Sequence, residues 1–526
     1  MADDKAIKNV QSTFSMYGFS ITRSVATFLV KQLLSVAPDQ RELWLTRITD
    51  KILALNLVDP HVSLEHVKHA IKECVRPDEI LDASETIFNV LNFEDIPQVV
   101  YDPTMKKFVL RKVPRDYFPE PLHKPNVFRD RLTLLRERTM RQEPFAPRKF
   151  GEKNKEKKEL VPIECLLTDS REGNLFVMGI LSQLVDGQYF LEDTGGAVKI
   201  DLTKNPQVFD EGLITEGCIV IAQGYFEDGL LEVKSIQLPP IEPSASSRAA
   251  FGTENTFGGP HKTSLKCSEK LHNHQEAHHT DMIVIISELW LDNAEVLEKF
   301  RVILEGYSEA PPIAFIICGH FLSCPPNVTS GKKLQEGFRQ LSELIESYPD
   351  IKNTSKFVFV PGPQDLGAPK ILPRGSLPRK LLEDFTKKIS GAVLAGNPCR
   401  IQYCTKEIVV FREDMIAKMC RNTLKYPERG SFYDHYAKTM ISQSHLAPMS
   451  LPVVPVYWRH DHALQLYPTP DLIITADNSQ QYTTKIGECQ VVNPGTFPRN
   501  NFSFKVYRPG TDEIEDCELP NDTEDG

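Results

Sequence analysis

The chain has 526 residues, 41% hydrophobic and 25% charged, with a formal net charge of −10. That length allows roughly two to four domains, the composition is that of a globular protein and excludes a fibrous or wholly disordered one, and the charge balance excludes a chain that is basic throughout. No apolar run approaches a membrane span, the opening M-A-D-D-K has no signal-peptide pattern, and eleven scattered cysteines without C-x-x-C read as reduced thiols rather than a disulfide frame or zinc site.

Charge is unevenly placed. Residues 106–158 hold 17 Lys+Arg against 7 Asp+Glu, a local +10, while residues 160–240 hold 4 against 13, a local −9. The tail from Thr511 has 8 acids and no base.

Residues 1–75 read as a helical domain. Lys5–Met16 predicts a first helix. Ser20 can cap a second, with Val25, Phe28, Leu29 and Leu33 at helical spacing, and Pro38 opens a third through Trp44, Ile48 and Ile52. Ser63 can cap a fourth, with Leu64, Val67 and Ala70 on one face, and Ser84–Leu91 follows as a fifth segment. This set resembles the helical lid domain of AAA+ ATPases. With no Walker motif before it, packing or partner binding is implied, without nucleotide.

Residues 76–125 read as a Pro-rich, basic connector. Asn126 can cap a helix through Gln142, with Phe128, Leu132, Leu135 and Met140 as its apolar side. Arg129, Arg131, Arg136, Arg138 and Arg141 are expected on the other side. They would hold phosphates, or form a solvated face or ion pairs with the acidic segment that follows; the second reading is preferred. The Lys-rich run from Lys153 to Lys158 is a nuclear-localisation candidate.

Residues 126–240 then predict five short strands after the helix: Leu175–Val185, Gln188–Glu192, Ala197–Leu202, Cys218–Tyr225 and Leu230–Ile236, with turn signals at Asp186-Gly187 and Asp228-Gly229. Five strands in this length fit an oligonucleotide-binding-type barrel. Its acidic charge would repel phosphate, so protein binding is the expected use. Residues 241–280 read as a flexible loop whose His272, His274, His278 and His279 could suggest a metal site but lack carboxylate or thiol company.

Residues 281–510 carry the organising pattern. Met282–Ile286, Ile313–Ile317 and Phe357–Val360 are apolar strands, each ending at a polar tip: S-E-L-W, C-G-H-F and P-G-P-Q-D. Polar groups at the carboxyl ends of neighbouring strands build an α/β site. Residues 511–526 read as a disordered acidic tail.

These tips resemble those of the calcineurin-like metallophosphoesterases, whose D-x-H, G-D-x-x-D, G-N-H-D/E, lone His and G-H-x-H hold two metals. Here Glu288 and Trp290 stand where D-x-H belongs. His320 and Ser323 replace the two acids of G-D-x-x-D. Pro363 and Gln364 replace Asn-His, with only Asp365 kept. Asp477 and Ser479 stand in A-D-N-S where G-H-x-H belongs, and His445 matches the lone His. Trp290 and Pro363 have no lone pair to give a metal. The resemblance therefore implies an α/β phosphoesterase sandwich with vestigial positions, no catalytic residues, no metal and no cofactor.

That eroded pattern resembles the B (accessory) subunits of the eukaryotic replicative DNA polymerases. The likeness extends through G-N-P-C-R-I-Q-Y (Gly396–Tyr403), I-V-V-F-R-E-D (Ile408–Asp414) and P-V-Y-W-R-H-D-H-A-L (Pro455–Leu464). Length and the N-terminal region are most like the epsilon branch. The resemblance implies a nuclear, non-catalytic subunit that clasps the C-terminal domain of the polymerase catalytic subunit, meets other epsilon subunits and the replicative helicase, and contacts DNA weakly or indirectly. The alternatives are an active metal-dependent phosphodiesterase or nuclease, and a single-stranded-DNA-binding factor.

Overall fold

The computed structural model describes residues 2–33, 41–54, 60–74, 87–114, 116–147, 157–168, 173–203, 211–367 and 370–519. They fall into two units, Met1–Thr86 and Ile87–Gly526.

In the first unit, helices α1 (Ala2–Met16), α2 (Arg23–Leu33), α3 (Arg41–Ala54) and α4 (Leu64–Cys74) enclose Phe14, Leu29, Ile48, Ile52 and Val67. Ser63 caps α4 as expected: its Oγ accepts the His66 N–H at 3.3 Å, and His66 Nδ1 accepts the Ser63 N–H at 3.3 Å, a reciprocal capping arrangement. Ser20 does not cap α2. Ser20–Ile21 forms β1, parallel to β2 (His61–Val62), and Thr22 Oγ1 accepts the Val25 N–H at 3.4 Å instead. The expected start at Pro38 and the side chains of Leu33 and Trp44 lie outside the described set. So does the beginning of the fifth segment, whose remainder is no helix: Phe88–Leu91 is strand β3.

The second unit begins with β3, and the expected connector is largely folded. β4 (Gln98–Asp102) and β5 (Lys107–Arg111) form a hairpin, and α5 spans His123–Met140, starting earlier than the Asn126 cap predicts. A short helix α6 (Ile163–Thr168) precedes the barrel of β6 (Gly173–Val185), β7 (Gln188–Glu192), β8 (Ala197–Asp201), β9 (Ile219–Glu227) and β10 (Leu230–Gln237). It closes in the order β10-β8-β7-β6-β9. The turn residues supply what closure needs: Gly187 and Gly229 sit at φ +71° and +76°, where a side chain would be strained.

Helix α5 packs between the hairpin and the outer wall of the barrel: Leu132, Leu134 and Leu135 cluster with Val99, Phe108, Met178, Ile219 and Ile221. Two of its arginines are not on a solvated face. Arg131 and Arg138 are buried, because spacings of four and three residues put them in the stripe of Leu135. Nor do they reach the acidic barrel. Arg131 Nε donates to Asp461 Oδ2 at 2.9 Å, and Arg138 donates to Ser442 O and Ser444 Oγ, both at 2.5 Å.

The segment 241–280 is not a flexible loop. It contains α7 (Ser244–Ala249) and α8 (Glu269–Ala277) and buries Phe251, Phe257, Leu265 and Leu271. The four histidines from His272 to His279 lie on and after α8, where His274 stacks on His278 at 4.0 Å and His272 meets Glu276 at 3.2 Å.

The rest is a sandwich. In the first sheet, parallel strands β11 (Ile283–Ser287), β12 (Ala314–Cys318), β13 (Lys356–Val360) and β14 (Ala392–Leu394) stand with antiparallel β20 (Phe504–Arg508) and β21 (Glu513–Cys517). In the second, β3 joins β15 (Cys399–Tyr403), β16 (Lys406–Val410), β17 (Leu472–Ile474), β19 (Cys489–Asn493) and β18 (Tyr482–Ile486). Ile283 and Ile285 face the second sheet with Ile316, Val358, Ile408 and Ile474. Val284 and Ile286 face helices α9 (Ala294–Gly306) and α10 (Ser330–Glu346). Burial on both faces makes such strands continuously apolar. Strand β21 also shows that the acidic tail is folded through Cys517, paired along Phe504–Arg508.

Candidate functional site at the strand tips

Parallel pairing of β11, β12 and β13 delivers three of the predicted tips to one edge. The second sheet contributes the ends of β16 and β17. At the first tip, Glu288 turns at φ +63°, a region that costs a non-glycine residue about 1 kcal/mol. Its N–H is held by Cys318 O at 2.9 Å, and its side chain is buried between two cationic or protonatable groups. Arg412 Nη2 lies 2.9 Å and His320 Nδ1 3.3 Å from Glu288 Oε1. Burial pushes the Glu288 carboxyl up, but His320 and Arg412 outweigh it and hold it below its ordinary value.

Arg412, at the end of β16, is wholly buried. Its Nε donates to Gly319 O at 2.6 Å and its Nη1 to Asp414 Oδ1 at 2.7 Å. Burial disfavours the guanidinium charge, yet Asp414 and Glu288 beside it raise its pKa above the ordinary arginine value. Asn397 braces the backbone there: its Oδ1 accepts the Arg412 N–H at 3.1 Å and its Nδ2 donates to Arg412 O at 2.6 Å and Pro361 O at 2.9 Å. One guanidinium thus ties tips from both sheets together.

Asp365 spends its oxygens on backbone, accepting the Phe321 and Gly362 N–H groups, each at 2.8 Å. Gly319 has to be glycine, since a Cβ there would collide with the Asp365 carboxylate. Asp477 Oδ2 accepts the Ile416 N–H at 3.0 Å; burial, with Asp414 nearby, pushes its pKa up to about 6.

The other predicted positions are scattered or differently engaged. Ser323 donates to Asp292 through N at 2.8 Å and Oγ at 3.0 Å. Trp290 lies under the Arg499 guanidinium, 5.2 Å from its ring centre. Pro363 and Gln364 form the turn before Asp365. Ser479 Oγ accepts from Asn493 Nδ2 at 3.0 Å. His445 belongs to a different cluster, where its Nδ1 accepts the Ala447 N–H at 3.0 Å and its Nε2 lies 3.4 Å from Asp461 Oδ1. Among the described residues, no three His, Cys, Asp or Glu side chains are grouped so that they could hold a metal ion.

The sequence reading missed Arg412, Asp414 and Asn397 as site residues. The signal was present: Ile408–Phe411 is another apolar strand run ending in a polar tip, R-E-D.

Comparison with known proteins covers the whole arrangement. Residues 283–485 match the family of DNA polymerase alpha/epsilon B subunits, residues 121–240 the OB-fold domain of DNA polymerase epsilon subunit 2-like proteins, and residues 3–74 the DNA polymerases epsilon N terminal family. DNA polymerase epsilon subunit 2 of Homo sapiens is 40% identical over 528 residues, covering 99% of each chain. The chain belongs to the DNA polymerase epsilon subunit 2 family. Another epsilon subunit 2, from Drosophila melanogaster, is 37% identical over 98% of each chain. The barrel of this family member is therefore an OB fold, as its strand spacing predicted. Among solved structures, that of an archaeal phosphodiesterase overlaps 45% of this chain and 99% of its own at 11% identity, with a TM-score of 0.26, too low to bear on the site.

Proposed function

We propose that this epsilon subunit 2 family member is a non-catalytic, nuclear accessory subunit. It would bind the C-terminal domain of the polymerase catalytic subunit and help place it, with the other epsilon subunits and the helicase, at the replication fork. The observation that carries the non-catalytic reading is the Arg412 guanidinium between Glu288, Asp414 and Gly319 O. A fixed positive charge fills the space between the tip carboxylates Glu288 and Asp414, and Asp365 is committed to backbone N–H groups. This donor set does not fit a dinuclear centre. What remains of the phosphoesterase site then serves as an internal joint between sheets. The domain division at 75, 125, 240, 280 and 510 belongs to the same reading, amended by the folded segments 88–111, 244–277 and 513–517.

Co-purification tests the partner reading. The tagged chain, recovered from nuclear extract after nuclease treatment, should elute in one stoichiometric peak with a B-family polymerase catalytic subunit. Elution alone and soluble would overturn it. Manganese-dependent hydrolysis of a phosphodiester by the purified chain, abolished by Glu288→Gln, would overturn the non-catalytic reading.

A further inference from the structure

We propose that the concavity between the β4–β5 hairpin, the first turns of α5 and the Trp458–Gln465 segment is a binding site for single-stranded nucleic acid. Backbone phosphates would sit on its cations and a base on Trp458. The cavity measures about 370 Å³, within the range of ligand sites. Its place is set by strand alternation. Phe108 and Leu110 pack inward against α5 and the barrel, so Lys107, Val109 and Arg111 point outward. Cross-strand pairing sets Gln98 opposite Arg111 and Val100 opposite Val109 on that same face.

Arg111, Lys112, Arg129 and Arg459 line the cavity. The first three make no ion pair among the described residues, and Arg459 Nη1 shares Asp116 Oδ2 at 3.2 Å. Two acids share the lining. Asp461 holds Arg131 through both oxygens. Asp130 accepts Gln98 Nε2 at 3.0 Å; burial pushes its pKa up, while the nearby Arg111 and Arg129 favour its charged form. With Asp461 taken by Arg131, four lining cations face one carboxylate, and such an excess of positive charge in one concavity attracts a polyanion.

The aromatic content selects the class of polyanion. The half-buried Trp458 lines the cavity; outside the lining, Tyr457 and Tyr117 meet edge-to-face at 5.5 Å, and Phe118 is 92% exposed. Cations interleaved with stacking platforms are the device for gripping unpaired bases. The OB barrel, the expected place for such binding, offers the opposite: a local charge of −9, with Phe226 buried and Phe176 packed against Phe145.

The experiment is fluorescence anisotropy of labelled oligo-dT with the full-length chain across a salt series, with tryptophan emission recorded in parallel. The wild-type chain should bind with a negative salt slope and quenched tryptophan emission. The pair Arg111→Glu/Lys112→Glu should lower affinity at low salt at least about tenfold and flatten the log–log slope by about 0.7 for each phosphate no longer neutralised. Trp458→Leu should weaken binding about tenfold, abolish the quenching and leave the slope unchanged. Both charged positions are exposed, so circular dichroism should be unaltered; if the pair misfolds, Arg129→Glu decides by the same criteria. No binding by the wild type overturns the proposal. So does an unchanged slope in the charge-reversed chain, or displacement of oligo-dT by a phosphopeptide more readily than by unlabelled single strand.

Discussion

Arg412 Nη2 donates to Glu288 Oε1 at 2.9 Å, and both side chains are at most 2% exposed. A buried pair of this kind is costly to break from one side, because the survivor keeps its charge without a partner. Arg412→Met should destabilise the chain by about 3–5 kcal/mol, with urea denaturation as the measure. Adding Glu288→Gln should recover part of that loss by removing the orphaned charge. A loss below about 1 kcal/mol in the single variant would show that the guanidinium is not what joins the tips.

The second buried joint lies on α5. Arg131 and Asp461 are each 7% exposed, and Asp461 also faces His445. Burial pushes the Asp461 carboxyl up, but Arg131 and His445 overcome it and hold it well below the carboxylate range. Arg131→Leu should therefore cost about 3–5 kcal/mol, while Arg131→Leu with Asp461→Asn should cost clearly less. Additive losses in the double-mutant cycle would contradict the pairing.

Asp477 gives a pH dependence of definite sign. Its ordinary pKa of 3.8 is raised to about 6 in the fold by burial. The native state holds this proton more tightly than the unfolded chain, so its contribution is full below about pH 4 and lost as pH rises through 6. Asp477→Asn removes that dependence. Between about pH 4 and pH 7 the variant should gain about 2–3 kcal/mol relative to wild type, at about 1.4 kcal/mol per pKa unit. Thermal melts at the two pH values provide the check; an equal difference at both would refute it.

Ile285 sits between the two sheets and is fully buried. Ile285→Asp would place an unpaired charge there, at a cost of several kcal/mol, and the chain should lose cooperative unfolding and accumulate as insoluble protein. A soluble variant with a wild-type melt would refute the inter-sheet placement of β11.

The strands were legible wherever burial imposes a pattern. The runs at 283–286, 314–317 and 357–360 have no polar interruption because both faces are covered, and the barrel strands are bounded by Gly187 and Gly229, whose φ values only turns require. Arg131 and Arg138 of α5 were misread because their charge suggests solvent, whereas helical spacing aligns them with Leu135. His445 was grouped with the tips by its order in the chain, but its ring faces Asp461, which belongs with α5.

Local sequence sufficed for the barrel and the apolar strands with polar tips, since each depends on residues close together in the chain. Packing in three dimensions settled what fills the strand-tip site and what anchors α5. Arg412 meets Glu288 across 124 residues and Arg131 meets Asp461 across 330. Such pairings are fixed by the packing of two sheets, a helix and a barrel, and local spacing carries no record of which distant carboxylate a buried guanidinium will face.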